Sequence, residues 1–159
     1  MDRLGHVMSL FGMNGFEVKR RKLFLERKDI TVPKPVVLNS KLEVITTHDE
    51  GAGVRPGLTI RILEGKDEMG ICISESLGHY QQSEGSQDTY YIGALRVHPD
   101  LQGIGWGKYL LQRTHLEMQE LGYKHALLGT KIDNHRALLL YTNEGYQVIY
   151  SDYSFGKKF

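Results

Sequence analysis

The segment Val97-His98-Pro99-Asp100-Leu101-Gln102-Gly103-Ile104-Gly105-Trp106-Gly107-Lys108 constrains this chain more than any other. A strand-like run, Tyr90 to Val97, stops at Pro99 and turns through alternating glycines. It then enters a stretch with Leu110, Leu111, Thr114, Met118 and Leu121 at helical spacing. Glycines at a strand-to-helix turn let the backbone approach a ligand closely. Their N–H groups point outward at the positive end of the helix dipole, which makes a cradle for a pyrophosphate. Spacing excludes two better-known phosphate loops. A Walker loop needs Gly at position 102 and Ser or Thr after Lys108, but those positions hold Gln102 and Tyr109. A dinucleotide fingerprint needs its third glycine at position 108, which is Lys. What remains is Gln-x-x-Gly-x-Gly, from Gln102 through Gly105 to Gly107.

Composition narrows the function classes. A chain of 159 residues suits one domain with a real core. Lys+Arg 20 against Asp+Glu 19 provides no global basic field, so no nucleic-acid partner is expected. The single cysteine, Cys72, excludes an internal disulfide framework and suits a reducing cytoplasm, the expected location. No apolar run reaches the roughly 18 residues of a membrane span, so no membrane partner is expected. The seven histidines show no metal-ligand spacing and have no cysteine partners, so no metal is expected either.

A second block, Asn134, Ala137, Leu140, Tyr141, Gly145 and Tyr146, follows the pattern Asn-x-x-Ala-x-x-Leu-Tyr-x-x-x-Gly-aromatic. Together, in this order and separation, the two blocks resemble the acyl-CoA-binding motifs of the GNAT superfamily of N-acyltransferases. The resemblance runs from about residue 58 to 159. It implies a mixed α/β fold, the GNAT acyl-CoA N-acyltransferase fold, with acetyl-CoA as co-substrate and an amine, small-molecule or peptide, as acceptor. It also implies roles for particular residues. Backbone N–H groups in Gln102, Gly103, Ile104, Gly105, Trp106, Gly107 and Lys108 would hold the pyrophosphate. Leu95, Arg96 and Val97, at a bulged strand end, would pair with the pantetheine arm. Asn134 would lie near that arm, doubling as a helix cap, and the Tyr141 hydroxyl near the thioester sulfur.

Reading along the chain supports the same class. Residues 2–13 read as a short helix, Phe16 to Arg27 as extended, and Asp29 to Pro35 as a spacer. A short strand at Lys41 to Thr47 leads to a glycine-rich loop. Leu58 to Leu63 and Met69 to Ser74 form a hairpin around Glu64-Gly65-Lys66-Asp67. Gly78 to Asp88 reads as a mobile loop, and Tyr123 to Thr130 as a buried strand. A helix through Asn143 follows, and then two last strands, Tyr146 to Tyr150 and Tyr153 to Lys157. Strands alternating with helices require a partly parallel sheet.

Leu10-Phe11 followed by Gly15-Phe16-Glu17-Val18 echoes Leu140-Tyr141 followed by Gly145-Tyr146-Gln147-Val148, at a constant spacing of 130 residues. One reading is the coincidence of two common helix caps. The other is that residues 1–35 resemble the tail of a preceding GNAT module, ahead of an acetyltransferase domain at 36–159. Residues 36–89 show no amphipathic helix, although a GNAT domain normally opens with two. The N-terminal segment would then complete the fold, within one chain or by exchange across a homodimer.

The general base has the least sequence support. The strand Tyr90 to Val97 carries no carboxylate, which leaves Glu75 as the candidate, followed by His79 and Asp88. The basic run Lys19-Arg20-Arg21-Lys22 reads as a solvated strand edge, and Cys72 as a small core residue. Acetyl transfer to a primary amine by direct attack is thus the expected function. The alternative is a degenerate GNAT module that binds CoA or a partner protein without catalysis.

Overall fold

The computed structural model describes residues 3–157. Chain order is α1 (Arg3–Met13), β1 (Phe16–Arg27), β2 (Glu43–His48), β3 (Leu58–Glu64), β4 (Asp67–Ser76) and β5 (Thr89–Val97). It continues through α2 (Trp106–Glu120), β6 (His125–Lys131), α3 (His135–Asn143) and β7 (Gln147–Lys157). The strands form one mixed sheet in the order β2-β3-β4-β5-β6-β1-β7. Only β5 and β6 run parallel, and α2 is the crossover between them.

The expected elements are present, with three differences. The C-terminal segment is a single strand, not two. Ser151 and Asp152 look like a turn in sequence but pair with Leu23 and Lys22, and the irregularity is a bulge near Ile149. The segment 78–88 is shaped by two single-turn 3-10 helices, Leu77–His79 and Ser86–Asp88. Gly78 N–H donates to Ser76 Oγ, and Thr89 Oγ1 donates to Gly85 O. The basic run lies only partly on a sheet edge, because Lys19, Arg20 and Arg21 are exposed and have no β6 partner. β1 is inserted between β6 and β7, and Lys22 pairs with Lys131 on one side and Asp152 on the other.

Alternation along β3 places Leu58, Ile60 and Ile62 in the core, together with Cys72, Tyr90, Ile92, Ala126 and Leu128 of the neighbouring strands. Leu110, Leu111 and Met118 of α2 pack into the same cluster and are fully buried. Burial pushes the Cys72 thiol up to about 11, as befits a core residue. His115, also on α2, is fully buried, with Tyr90 Oη on Nδ1 and Tyr146 Oη 3.5 Å from Nε2. One ring nitrogen donates and the other accepts, so the neutral imidazole ties β5, α2 and the start of β7 together.

The internal echo has a counterpart in three dimensions. α1 and α3 each end at a left-handed glycine, Gly15 (φ 76°) and Gly145 (φ 84°), and each feeds one of the paired strands β1 and β7. The register maps onto itself under the 130-residue spacing. The pair Arg21–Tyr153 becomes Leu23–Ser151, and Lys22–Asp152 becomes itself. A local two-fold axis therefore passes through the Lys22–Asp152 pair. Where a GNAT domain is expected to have opening helices, β2 and β3 are joined by residues 49–57 alone. There Asp49 Oδ1 accepts from Gly51 N–H and Gly57 N–H.

Two stability predictions follow from burial. Leu25 of β1 is completely buried, so Leu25→Ala should cost about 2–5 kcal/mol in urea unfolding. Leu10→Ala, on the exposed face of α1, should stay within about 0.5 kcal/mol. Burial pushes His115 down to about 3 from its ordinary 6.5. The unfolded chain then takes up a proton near 6.5 that the folded one refuses until about 3, so stability is lost as pH falls through that window. Melting temperatures from pH 7 to 4 should show a shallower decline for His115→Gln than for the unaltered chain.

Candidate active site

β5 and β6 pair in register only from Thr89–His125 to Ile92–Leu128. Beyond Ile92 they part. Against β4 the register slips at the same place, Ala94 facing Ile73 and Ile92 facing Ser74, so Gly93 is an extra, bulged residue. The bulge lies two residues before the expected Leu95, Arg96 and Val97, which form the free arm of the fork it creates. Past Gly93 the β5 edge nearest β6 has no strand partner among the described residues, and its backbone polar groups are open to a ligand.

The fork leads into an open cleft of about 860 Å³, the size of a small-molecule site. Its walls include Leu95, Arg96 and Val97 from β5, Gln102, Gly103, Gly105, Gly107 and Lys108 from the glycine turn, and Asn134 and Tyr141 around α3. The second arm adds Gly129 and Thr130. The side chains of Trp106 and Ile104 do not line the cleft, which leaves their backbone N–H groups for the expected role. The Trp106 ring is buried in the core, edge-on to Tyr109 at 5.3 Å, while Ile104 points outward and is 61% exposed.

The turn is built to present its backbone. Gly103 (φ 77°) and Gly105 (φ 100°) occupy the left-handed region, which a side chain would strain. Gly105 caps α2 without a side-chain hydrogen bond, so the first N–H groups of the helix stay unclaimed. Gln102 braces the turn, donating through Nε2 to Val97 O at 2.9 Å and accepting from Arg136 at 3.1 Å. The Lys108 ammonium is bound to Glu144 at 3.1 Å, which leaves its backbone as the part available to a ligand. Arg136, which sequence reasoning missed, adds a cation to the cleft wall beside exposed Arg96. Its only sequence signal was its place one residue inside a helix start.

Asn134 caps α3, its Oδ1 accepting from Ala137 N–H at 3.3 Å, and it also borders the cleft. Tyr141 is 7% exposed, with its ring 5.8 Å from that of Tyr146. Burial, ahead of the neighbouring Cys72, pushes its phenol up to about 12. Glu75 is half-buried on β4 opposite Tyr91, its Oε1 3.7 Å from where a Cβ on Gly93 would stand. It therefore reaches the fork. The Tyr80 hydroxyl, beyond reach of sequence reasoning because it lies in the 3-10 segment, hydrogen-bonds the same carboxylate, which is the main cause pushing that phenol up to about 12.

The other base candidates do not reach the fork in this way. Asp88 is bonded to Arg55 at 2.6 Å and to Lys124 at 2.9 Å, and these hydrogen bonds hold its carboxyl down at about 2. His79 is an exposed turn residue. Among the described residues no cluster of His, Cys, Asp and Glu is arranged to hold a metal ion, and no helix is long and apolar enough to cross a membrane.

A sequence model described as Acetyltransferase (GNAT) family matches residues 54–146, which include the fork, the glycine turn and α3. The chain belongs to the GNAT acetyltransferase family. Solved GNAT-like structures superpose on nearly all of it at low identity. A Drosophila protein gives a TM-score of 0.66 at 16% identity, covering 96% of this chain and 56% of its own. A tandem GNAT protein from the clavulanic acid biosynthesis pathway gives 0.68 at 11%, covering 94% and 57%. A GCN5-related N-acetyltransferase from Sphaerobacter thermophilus gives 0.59 at 17%, covering 95% and 55%. The chain thus spans little more than half the length of these structures. No curated protein matches the sequence.

The turn makes a direct prediction. Gly105→Glu adds bulk and negative charge where a pyrophosphate would rest. CoA affinity by isothermal titration calorimetry should fall about 10²-fold, the scale of a like-charge clash. Gly65→Glu, also at positive φ (63°) but in the distant β3–β4 turn, should leave it unchanged.

Proposed function

We propose that this GNAT domain transfers an acetyl group from acetyl-CoA to a primary amine by direct attack in a ternary complex. The observation that carries the reading is the fork. One cleft joins unpaired β5 backbone, the bare N-terminus of α2 and the Tyr141 phenol, with Glu75 at the point of parting. The glycine turn, with Arg136 and Arg96 beside it, suits an anionic pyrophosphate. The free edge of β5 suits an extended amide chain, which pairs with it as a strand would.

In this reading Glu75 takes the proton as the amine nitrogen attacks the thioester carbonyl. A β5 backbone N–H beyond Gly93 receives the developing oxyanion, and the C–S bond then breaks. The departing thiolate is met by Tyr141. A phenol protonated up to about pH 12 is always available as a donor. It is also a weak acid, so it assists first as a hydrogen-bond donor and completes proton transfer as the thiolate leaves. The products are the N-acetylated amine and free CoA thiol.

The alternative, a CoA-binding module without catalysis, draws on one observation. The short 49–57 connection puts no opening helices over the acceptor face. We also propose that residues 1–35 correspond to the tail of a preceding GNAT-like unit. The local two-fold relating α1–β1 to α3–β7 supports this correspondence.

Tyr141→Phe decides between catalysis and binding alone. Turnover by thiol release should fall about 10²-fold, with acetyl-CoA affinity changed far less. An unchanged turnover number would reduce Tyr141 to a packing residue.

A further inference from the structure

The face of the sheet at the fork carries two charges that form no ion pair among the described residues. Lys22 reaches from β1 across β6, over the bare backbone of Gly129. A Cβ there would stand 2.9 Å from the Lys22 ammonium and 3.1 Å from the Phe24 ring. The ammonium ends 3.3 Å from Tyr91 Oη, with the Phe24 ring centroid 4.8 Å away. It is half-buried, and no carboxylate among the described residues forms an ion pair with it. Asp152, opposite in register on β7, stays out of ion-pair reach.

On the other side of Tyr91 lies Glu75. Its Oε1 and the Tyr91 ring both border the space above Gly93, at 3.7 and 4.0 Å from a Cβ built there. The Tyr80 hydroxyl lies close enough for this carboxylate to raise its pKa, and no cation pairs with Glu75 among the described residues. An unpaired carboxylate and an unpaired ammonium, each half-buried, therefore flank Tyr91. Gly93 and Gly129, one on each arm of the fork, leave the floor between them bare. Half-buried charges left unpaired cost stability, and a ligand of complementary polarity recovers that cost.

We infer that the acceptor is a zwitterion, an amine that also carries an anionic group, with its nitrogen at Glu75 and its anion at Lys22. This rests on the acyl-transfer reading of the fork and adds a substrate class to it. Two opposite charges on either side of one tyrosine suit a ligand that carries both complementary charges. Lys22 is then a specificity residue and touches no reacting atom. It comes from the N-terminal segment, outside the residues matched by the family model.

The test offers the full chain, with acetyl-CoA, phenylalanine, phenylalaninamide and phenethylamine, and separately 2-aminoethyl phosphate. The expected result is a kcat/KM for the free acid, or for the phosphate, at least about tenfold above the uncharged analogues, the scale of one charge-assisted hydrogen bond. The phosphate performing best would identify phosphate as the anion recognised. Lys22→Glu should abolish the preference mainly through KM, and Lys22→Arg should restore it. Equal use of acid, amide and plain amine, or a preference that survives Lys22→Glu, overturns the inference and leaves acyl transfer standing. If no amine is acetylated although CoA binds, the transfer reading fails. Calorimetric titration of the CoA-loaded protein with the acid and the amide then still reads the inference, and equal affinities overturn it.

Discussion

The short parallel ladder between β5 and β6 is the constraint on which the rest depends. Four residue pairs hold the two halves of the sheet together, and the bulge at Gly93 ends them. A longer ladder would close the cleft and bury the backbone groups a ligand needs. A shorter one would leave β6, β1 and β7 poorly anchored to β4 and β5. His115 holds this compromise from behind. Its two tyrosine partners fix β5 at Tyr90 and the start of β7 at Tyr146, and the Tyr146 ring in turn packs against Tyr141. A neutral histidine deep in the core thereby helps orient the phenol proposed to meet the leaving sulfur.

Local chemistry made much of this legible in the sequence. Alternating glycines between a strand and a helix have few other uses. Asn134 capping α3 and the glycines stopping each helix follow from backbone geometry alone. What escaped is non-local. Nothing in Phe16 to Arg27 reveals that its neighbours are residues 126–131 and 147–157, because strand pairing leaves no periodic mark on either partner. The run Lys19 to Lys22 looked like an edge because interior strands usually avoid such charge. Here pairing with β6 stops at Lys22, which leaves Lys19 to Arg21 exposed, and the Lys22 stem lies across Gly129. Ser151-Asp152 looked like a turn for a similar reason, being polar residues on a strand whose side chains are largely exposed.

The place of Trp106 in the motif does not fix its ring. The core took it, and the cleft kept only the backbone. Sequence supports Glu75 only as the nearest carboxylate to the right strand, and in the fold it borders the parting. Its companions Tyr80, Tyr91 and Lys22 come from three separate stretches of chain, so no spacing rule could have assembled them.

The insertion of β1 between β6 and β7 also sets the order of assembly. This strand is made before both of its partners, which lie about a hundred residues or more downstream, and closing so long a loop is slow. Until then Phe16, Val18, Leu23, Phe24 and Leu25 form a ready template for pairing with another chain. The four consecutive cations in their midst repel a second copy of the same strand, which is how charged residues guard an unavoidable hydrophobic segment. The basic run thus acts while the protein is still incomplete, protecting a nascent strand until its two neighbours exist.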